Sequence, residues 1–269
     1  MRKKNNAWKI LIVSFVFLFL YLPILILAFY SFTTSANIGT VQGFSLDNYR
    51  TLFTSPELVQ MIVGTLVLAF TAATLSTILG TLGAIGSFYS KKNLSRLMST
   101  TNQIPVINAD VVTGFSVCIL LVVALGVSKD TYIPLVIGHV VLGAPFVYLS
   151  VLPKLMQMDG SIYEAALDLG ATPFTALRKV VLPQILSGVL SGFALSVTLS
   201  LDDYFVAVYT KPATFDTIST YVVNATKGSQ TTIKTALWAL STVIFFVVVL
   251  VVLGMNLRTA KEEGKGAEV

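Results

Sequence analysis

Charged residues are scarce in this chain: Asp, Glu, Lys and Arg make up only 12% of its 269 residues. That is about half the share found in soluble domains. Hydrophobic residues make up 55%, and the mean hydropathy is +0.81. So few charges cannot cover a water-facing surface, which excludes a soluble globular enzyme and a disordered protein. The sequence therefore predicts an integral membrane protein.

Cysteine and histidine are also nearly absent. Cys118 is the only cysteine, so no internal disulfide forms, and its apolar neighbours indicate a packing role. We interpret His139, the only histidine, as a buried hydrogen-bonded residue rather than a metal ligand. These two residues lie in separate apolar stretches, which is too little for a metal site or a nucleophile with its base. The net charge of +5 indicates orientation in a membrane rather than a nucleic-acid partner.

Six apolar stretches are long enough to cross a bilayer as helices. The first follows several basic residues, as a signal peptide does, but its apolar core is too long and lacks a clear cleavage pattern, so we interpret it as a retained helix. The fold class is then all-α and polytopic, with a single transmembrane domain over residues 1–269. The stretches cover residues 10–32, 59–88, 103–127, 132–152, 184–209 and 235–257.

The basic residues predict the orientation of these crossings. The two termini and the loops on their side carry 13 Lys and Arg residues, whereas the loops at 33–58, 128–131 and 210–234 carry 5. The positive-inside rule then places both termini in the cytoplasm and makes 33–58 and 210–234 external loops. An amphipathic helix is predicted after Ser45, with Leu46, Tyr49 and Phe53 on one face. It either contributes to a receptor-docking rim or packs against its neighbours.

Glycines recur in two of the stretches at spacings that favour close helix packing. Gly188 and Gly192 form a G-x-x-x-G pair, and Gly80, Gly83 and Gly86 repeat every three residues. We interpret both sets as helix contacts rather than as pore-lining positions.

The predicted cytoplasmic loop 159–183 is patterned as two short amphipathic helices. The first begins after Asp159 or Ser161 and is stopped by Gly170. The second begins at Thr172-Pro173 and is expected to end at Pro183.

The spacing of residues in this loop resembles the EAA loop of ABC importer permeases, with Val180 where that pattern usually has isoleucine. The resemblance implies that the short helix seats on a cytoplasmic ATPase and transmits its closure to the membrane helices. The alternative is a helix lying on lipid headgroups. The chain contains no G-x-x-x-x-G-K-[ST] phosphate loop, so the energy must come from a separate ATPase. The matching residues are Glu164, Ala165, Ala166, Gly170, Leu182 and Pro183.

Asp110, Asp202 and Asp203 are predicted at or near membrane depth, and the six stretches contain no Lys or Arg to pair with them. A carboxylate at a helix centre costs about 2.5–3.5 kcal/mol on insertion scales, so such residues usually face a protein interior or an aqueous pathway. The alternative for the pair is a position in water near the outer end of its helix.

Adjacent helical residues point about 100° apart. Asp202 and Asp203 therefore share one cavity only where the helix is distorted, and one is expected to support the other. Tyr204, Phe205 and Tyr209 could hold an ammonium group over a ring face, although aromatic residues also anchor helices at membrane interfaces.

Nearly the whole chain is similar to the PotC-type permease family of spermidine and putrescine importers. The segments that carry this likeness are YLPILILAFYSF, GFSLDNY, INADVV, EAALDLGATPFTALRKVVLP and SVTLSLDDYF. The resemblance implies a type I importer fold in the bacterial cytoplasmic membrane, with Asp110, Asp202 and Asp203 serving polyamine passage. It also implies a PotB-type second permease, two ATPase subunits that hold ATP and Mg²⁺, and an external polyamine-binding protein. The chain itself is expected to hold no cofactor or metal and to catalyse nothing.

Three other functions remain open from the sequence. An importer of another solute, such as thiamine or a ferric complex, would share the cytoplasmic loop. A passive cation channel would use the same acids without needing that loop. An intramembrane enzyme is remote, because the chain has no H-E-x-x-H or G-x-S-x-G motif.

Overall fold

A computed structural model describes residues 4–33, 43–227, 235–246 and 249, and every regular element within these ranges is a helix. The all-α prediction is thereby confirmed. The helices are α1 (Lys4–Ser31), α2 (Asp47–Thr54), α3 (Pro56–Tyr89), α4 (Lys92–Ile107), α5 (Asp110–Cys118), α6 (Ile133–Gln157), α7 (Ser161–Asp168), α8 (Pro173–Ala176), α9 (Leu182–Asp202), α10 (Phe205–Thr210), α11 (Ile218–Lys227) and α12 (Thr235–Phe246). A π-helical turn, Ile119–Ala124, extends α5, and another, Leu177–Val181, joins α8 to α9.

Four helices in the described ranges are long and apolar enough to cross a membrane, and a fifth crossing results if α4 and α5 count as one broken span. The predicted sixth stretch is helical over Thr235–Phe246, and beyond that helix only residue 249 lies within the described residues. Six crossings with both termini in the cytoplasm therefore stay predictions. The four long spans are Trp8–Ser31, Pro56–Tyr89, Ile133–Gln157 and Pro173–Asp202.

Two of the predicted stretches form interrupted rather than continuous helices. Stretch 103–127 bends by 106° between α4 and α5. Pro105 removes a backbone donor just before the bend, and Asn108 and Ala109 adopt extended backbone with ψ of 147° and 136°. Stretch 184–209 breaks at Asp203, whose ψ of 127° ends α9 and leaves α10 as a separate short helix.

The predicted stop at Pro183 was wrong, because α8, the π-helical turn and α9 follow one another without interruption from Pro173 to Asp202. A π-helical turn lies immediately before Pro183, and Pro183 occupies the first turn of α9. A proline is accommodated there because the wider turn and the new helix start do not need its missing N–H.

The chain divides into two compact units, and the first contains the residues up to Val59 together with those from Val222 onward. Helix α2 begins close to the predicted position, and its buried residue is Leu52, whereas Leu46 and Phe53 of the predicted face are exposed. The reason is Asn48, whose buried amide donates to the carbonyl oxygens of Ser31 and Thr33 at 2.8 and 3.0 Å and turns its own side of the helix inward. Residues 34–42 of the predicted external loop lie outside the described residues.

The second unit, Gln60–Tyr221, is organised around the contact between α6 and α9. A Cβ added to Gly188 would lie 2.8 Å from the Ser150 carbonyl oxygen, and one on Gly192 would lie 2.9 Å from the Val147 Cα. The predicted packing role of this G-x-x-x-G pair is confirmed. The buried apolar cluster beside it comprises Ala84, Val147, Tyr148, Val151, Leu155, Val181 and Ile185.

Candidate functional site

The acidic residues singled out in the sequence meet at one cavity of about 310 Å³ in the second unit. Its walls come from α4, α5, α6, α9 and α10, and they carry three carboxylates and no basic side chain. A second, larger depression of about 410 Å³ beside α3 and α6 is lined without any charged residue, so the chemistry lies in the first. The lining residues of the acidic cavity are Pro105, Val106, Asp110, Leu142, Phe146, Leu199, Asp202, Asp203, Tyr204 and Phe205.

The bend between α4 and α5 positions the first carboxylate. Asp110 is the first residue of α5 and is exposed. The amide of Asn108 donates to the Thr113 hydroxyl at 3.1 Å, and the Ala109 carbonyl accepts from the Thr113 backbone N–H at 3.1 Å, so the turn into α5 is held from both sides. Because the chain changes direction here, Asp110 faces the cavity instead of lying within a continuous apolar helix.

The break between α9 and α10 positions the other two carboxylates differently. Asp202 ends α9 and is exposed, whereas Asp203 is only 8% exposed. The two carboxylate oxygens of Asp203 accept the backbone N–H groups of Val206 at 3.1 Å and Ala207 at 2.7 Å. Asp203 therefore caps α10, where the helix dipole also favours a negative charge.

A buried imidazole stands beside the Asp203 carboxylate. The Nε2 of His139 lies 3.6 Å from Oδ2 of Asp203, and both side chains are almost completely shielded from solvent. The His139 Nδ1 lies 2.8 Å from the Leu135 carbonyl oxygen. The prediction of a buried, hydrogen-bonded histidine is thus confirmed. The sequence shows no Lys or Arg for Asp203 to pair with, and the structure gives its carboxylate two backbone donors and a neighbouring imidazole.

Sequence reasoning missed this pairing because it joins residues 64 positions apart on different helices. Spacing along one helix relates residues three or four apart and says nothing about contacts across a helix pair. The available signal was a lone histidine within an apolar stretch of a chain that also carries unpaired acids in other stretches.

Two of the three predicted aromatic residues line the cavity. Tyr204 is half-buried and Phe205 is 45% exposed, with their ring centroids 5.3 Å apart in an edge-to-face arrangement. Tyr209 is not part of the lining and packs edge-to-face on Phe115 at 5.7 Å. Only the first two can present a ring to a molecule in the cavity.

The loop motif contains two short helices, α7 and α8, as predicted. Helix α7 ends at Asp168, shortly before Gly170, whose φ of +85° suits glycine. The N–H groups of Gly170 and Ala171 then bond the carbonyl oxygens of Leu167 and Ala166 at 2.9 and 3.0 Å. The Thr172 hydroxyl accepts the Thr175 backbone N–H at 3.3 Å and so caps α8.

Asp159 precedes α7, and its carboxylate accepts the Ser161 backbone N–H at 3.0 Å. This hydrogen bond, together with one from the Ser161 side chain, holds the pKa of Asp159 below its usual value. Of the two predicted caps, it is therefore the side chain of Asp159 that satisfies a donor at the start of α7.

The loop leaves apolar side chains uncovered. Leu169 is 89% exposed and Phe174 is 73% exposed, and none of the α7 residues is buried. On the side of α7 that faces the protein, the ring of Tyr163 packs on that of Tyr89 with centroids 4.9 Å apart. Of the motif residues, Glu164, Ala165, Gly170, Leu182 and Pro183 are exposed, and Ala166 is half-buried.

Comparison with known proteins agrees with this geometry. The family model for the binding-protein-dependent transport system inner membrane component matches residues 2–261. The spermidine/putrescine transport system permease protein PotC of Haemophilus influenzae is 33% identical over 216 residues, covering 80% of this chain and 83% of that protein. The putrescine transport system permease protein PotI of Escherichia coli K12 is 33% identical over 214 residues, covering 76% of this chain and 75% of that protein.

A solved structure has the same fold. The crystal structure of a bacterial ABC transporter involved in the import of the acidic polysaccharide alginate superposes with a TM-score of 0.73 at 20% identity, covering 96% of each chain. The chain therefore belongs to the family of binding-protein-dependent transport system inner membrane components and is an inner-membrane permease subunit of such a system.

Proposed function

We propose that this permease subunit moves polyamines, spermidine or putrescine, into the cytoplasm by alternating access. The observation that carries the proposal is the cavity into which Asp110 and Asp202 are exposed and whose described lining offers no basic side chain. A cargo with several ammonium groups complements such a lining, whereas an anionic cargo would be repelled. The names of the PotC and PotI relatives support the same class of cargo.

The three carboxylates and one tyrosine of the lining have proposed parts in this passage. Asp110 and Asp202 receive the ammonium groups, because their carboxylates are the exposed ones. Tyr204 offers a ring face, an interaction worth roughly 0.5–2 kcal/mol for a cation. Asp203, buried behind Asp202, belongs to the same wall of the pathway.

The proposed coupling site is the loop that contains α7 and α8. Exposed Leu169 and Phe174 give it an apolar surface that fits a groove on an ATPase, and Gly170 fixes the turn between the two short helices. Exposed apolar side chains of this kind mark a surface that a partner is expected to cover. The docking residues proposed from the family motif are Glu164, Ala165, Ala166, Gly170, Leu182 and Pro183.

The other subunits follow from what the chain does not supply. It has no phosphate-binding loop in its sequence, so two separate ATPase subunits would bind ATP and Mg²⁺ and hydrolyse the nucleotide. A PotB-type permease would complete the pathway, and an external binding protein would deliver the polyamine. In this proposal the chain itself translocates and catalyses no reaction.

Uptake by the complete importer in liposomes tests the proposal. With ATP inside and the binding protein outside, we expect saturable uptake of radiolabelled spermidine or putrescine that excess thiamine or a ferric complex does not reduce. Asp110→Asn and Asp202→Asn should each raise the apparent KM about tenfold, the effect of losing one hydrogen bond to a charged group. The matched control is Asp130→Asn, an exposed acid outside the cavity, which should leave the KM unchanged.

Three results would contradict it. Polyamine uptake that continues without ATP would indicate a passive channel. Competition by thiamine or a ferric complex would indicate another cargo. An unchanged KM in both cavity variants would mean that these carboxylates do not meet the cargo.

A further inference from the structure

The surroundings of His139 determine which of its two ring nitrogens carries a proton. Nδ1 lies 2.8 Å from the Leu135 carbonyl oxygen, which can only accept a hydrogen bond, so Nδ1 carries a proton. In a neutral imidazole, Nε2 would then bear a lone pair. That atom is fully buried and has no hydrogen-bond partner among the described residues.

The group that faces this nitrogen is also an acceptor. Oδ2 of Asp203 lies 3.6 Å away, too long for a direct hydrogen bond but within the range of an ion pair. Two lone pairs facing each other in a buried site are unfavourable, and a buried carboxylate without a counter-charge is more so. One additional proton, on the imidazole or on the carboxyl group, removes both problems and leaves the pair without net charge.

The pair also lies at the break between α9 and α10, the two helices that carry Asp202 and Phe205 into the cavity wall. Asp203 ends the ladder of α9 and caps α10, so the carboxylate that meets His139 also fixes the turn between the two helices. Its neighbour Asp202 is exposed to the cavity at that turn.

We infer that His139 and Asp203 form a buried pair that shares one proton and acts as a positioning unit: it holds the break between α9 and α10 and so presents Asp202 to the cargo, without itself binding it. This inference rests on the proposed function for its cargo. It leaves two charged carboxylates, Asp110 and Asp202, as this chain's share of the pathway.

The chemistry of the pair predicts a rescue. His139→Asn removes the group that neutralises Asp203 and should lower the maximal uptake rate, or the amount of inserted permease, at least about tenfold. Adding Asp203→Asn removes the stranded charge, and its amide oxygen can still accept one of the two backbone N–H groups at the start of α10, so the double variant should recover at least about fivefold of that loss. Adding Asp202→Asn to His139→Asn is the matched control and should recover nothing.

Single variants separate positioning from binding. In the Asp203→Asn variant the pair stays neutral without the shared proton, because the amide N–H of the new side chain can donate to the unprotonated Nε2 of His139. Because the break and Asp202 then stay in place, we expect the maximal rate and the apparent KM both to remain within about twofold of the wild type, in contrast to the roughly tenfold rise in KM expected for Asp202→Asn. All rates are normalised to the inserted permease, measured by quantitative immunoblot of the membranes.

Two results would overturn the inference: an apparent KM for Asp203→Asn that rises as far as that for Asp202→Asn, or a double variant no better than His139→Asn alone. Failure of the proposed function is distinguishable, because a wild-type importer that takes up no polyamine contradicts the cargo. The pair can then still be judged from membrane insertion of His139→Asn with and without Asp203→Asn, a readout that needs no cargo.

Discussion

Gly160 and Gly170 flank α7, and both have open space where a Cβ would lie, yet only Gly170 has a positive φ, +85°. The left-handed backbone costs about 1–2 kcal/mol for a residue with a Cβ. We expect Gly170→Ala to lower ATP-dependent uptake several-fold, because the turn that carries the loop motif is strained. Gly160→Ala, at a helical φ of −61°, should leave uptake unchanged.

Gly170→Asn refines this prediction, because asparagine tolerates the left-handed region better than alanine does. Its uptake should fall between those of Gly170→Ala and the wild type in the same liposome assay. Equal uptake by Gly160→Ala and Gly170→Ala would show that the backbone conformation at Gly170 is unimportant for coupling.

The sequence predicted the roles of residues that depend only on their immediate neighbours along the chain. The stop at Gly170 and the cap at Thr172 follow from local rules and are confirmed. Which acid of the 202–203 pair supports the other was not predictable, because it depends on His139, which lies on another helix. Whether the three acids serve cargo passage stays a prediction.

The contact between α6 and α9 gives a prediction at the level of helices. Gly192→Ala would place a methyl group 2.9 Å from the Val147 Cα, a backbone atom that can move only with its helix. Overpacking of this kind costs about 1–3 kcal/mol, so the melting temperature of the detergent-solubilised importer should fall by about 2–10 °C.

Gly83→Ala is the matched control, since its nearest contact would be an ordinary 3.6 Å from the Tyr148 ring. It should leave the melting temperature unchanged in a fluorescence-monitored thermal scan. A drop of the same size in both variants would argue against close packing at Gly192 as the cause.

Helices were predictable where apolar character is continuous, and their interruptions were not. Stretch 59–88 agrees with α3 to within a few residues, because length and hydropathy determine a membrane span. The bend after Ile107 and the break at Asp203 depend on polar groups that compete with the helix ladder, and hydropathy averages over such groups. Of the glycines predicted as helix contacts in α3, only Gly80 packs tightly, where a Cβ would lie 2.7 Å from the Ala144 carbonyl oxygen, whereas the nearest contacts at Gly83 and Gly86 would be an ordinary 3.6 Å.

For the whole molecule, the distribution of basic residues predicts which loops face which compartment. In a Cys118→Ser background, the Asp130→Cys variant should react with a membrane-impermeant maleimide in right-side-out vesicles. The Ser161→Cys variant should react only in inside-out vesicles. Both positions are exposed, so accessibility depends on the side of the membrane. The reverse pattern would place the α7 loop outside and contradict coupling to a cytoplasmic ATPase.

At this scale the sequence predicted the fold class from the composition of the whole chain. It predicted the family from the loop motif and from similar segments spread along the chain. The number of crossings depends on how a bent pair of helices and a partly described last stretch are counted, and composition cannot resolve that. The relation of this subunit to its partners is likewise encoded in surfaces of more than one chain.

The bend before α5 places Asp110 in the first turn of that helix, where the helix dipole favours a negative charge. A carboxylate stabilised in this way attracts a passing ammonium less strongly than an isolated one would. Under the proposed function, such a residue would favour a short dwell time, so that cargo would be held briefly and handed on.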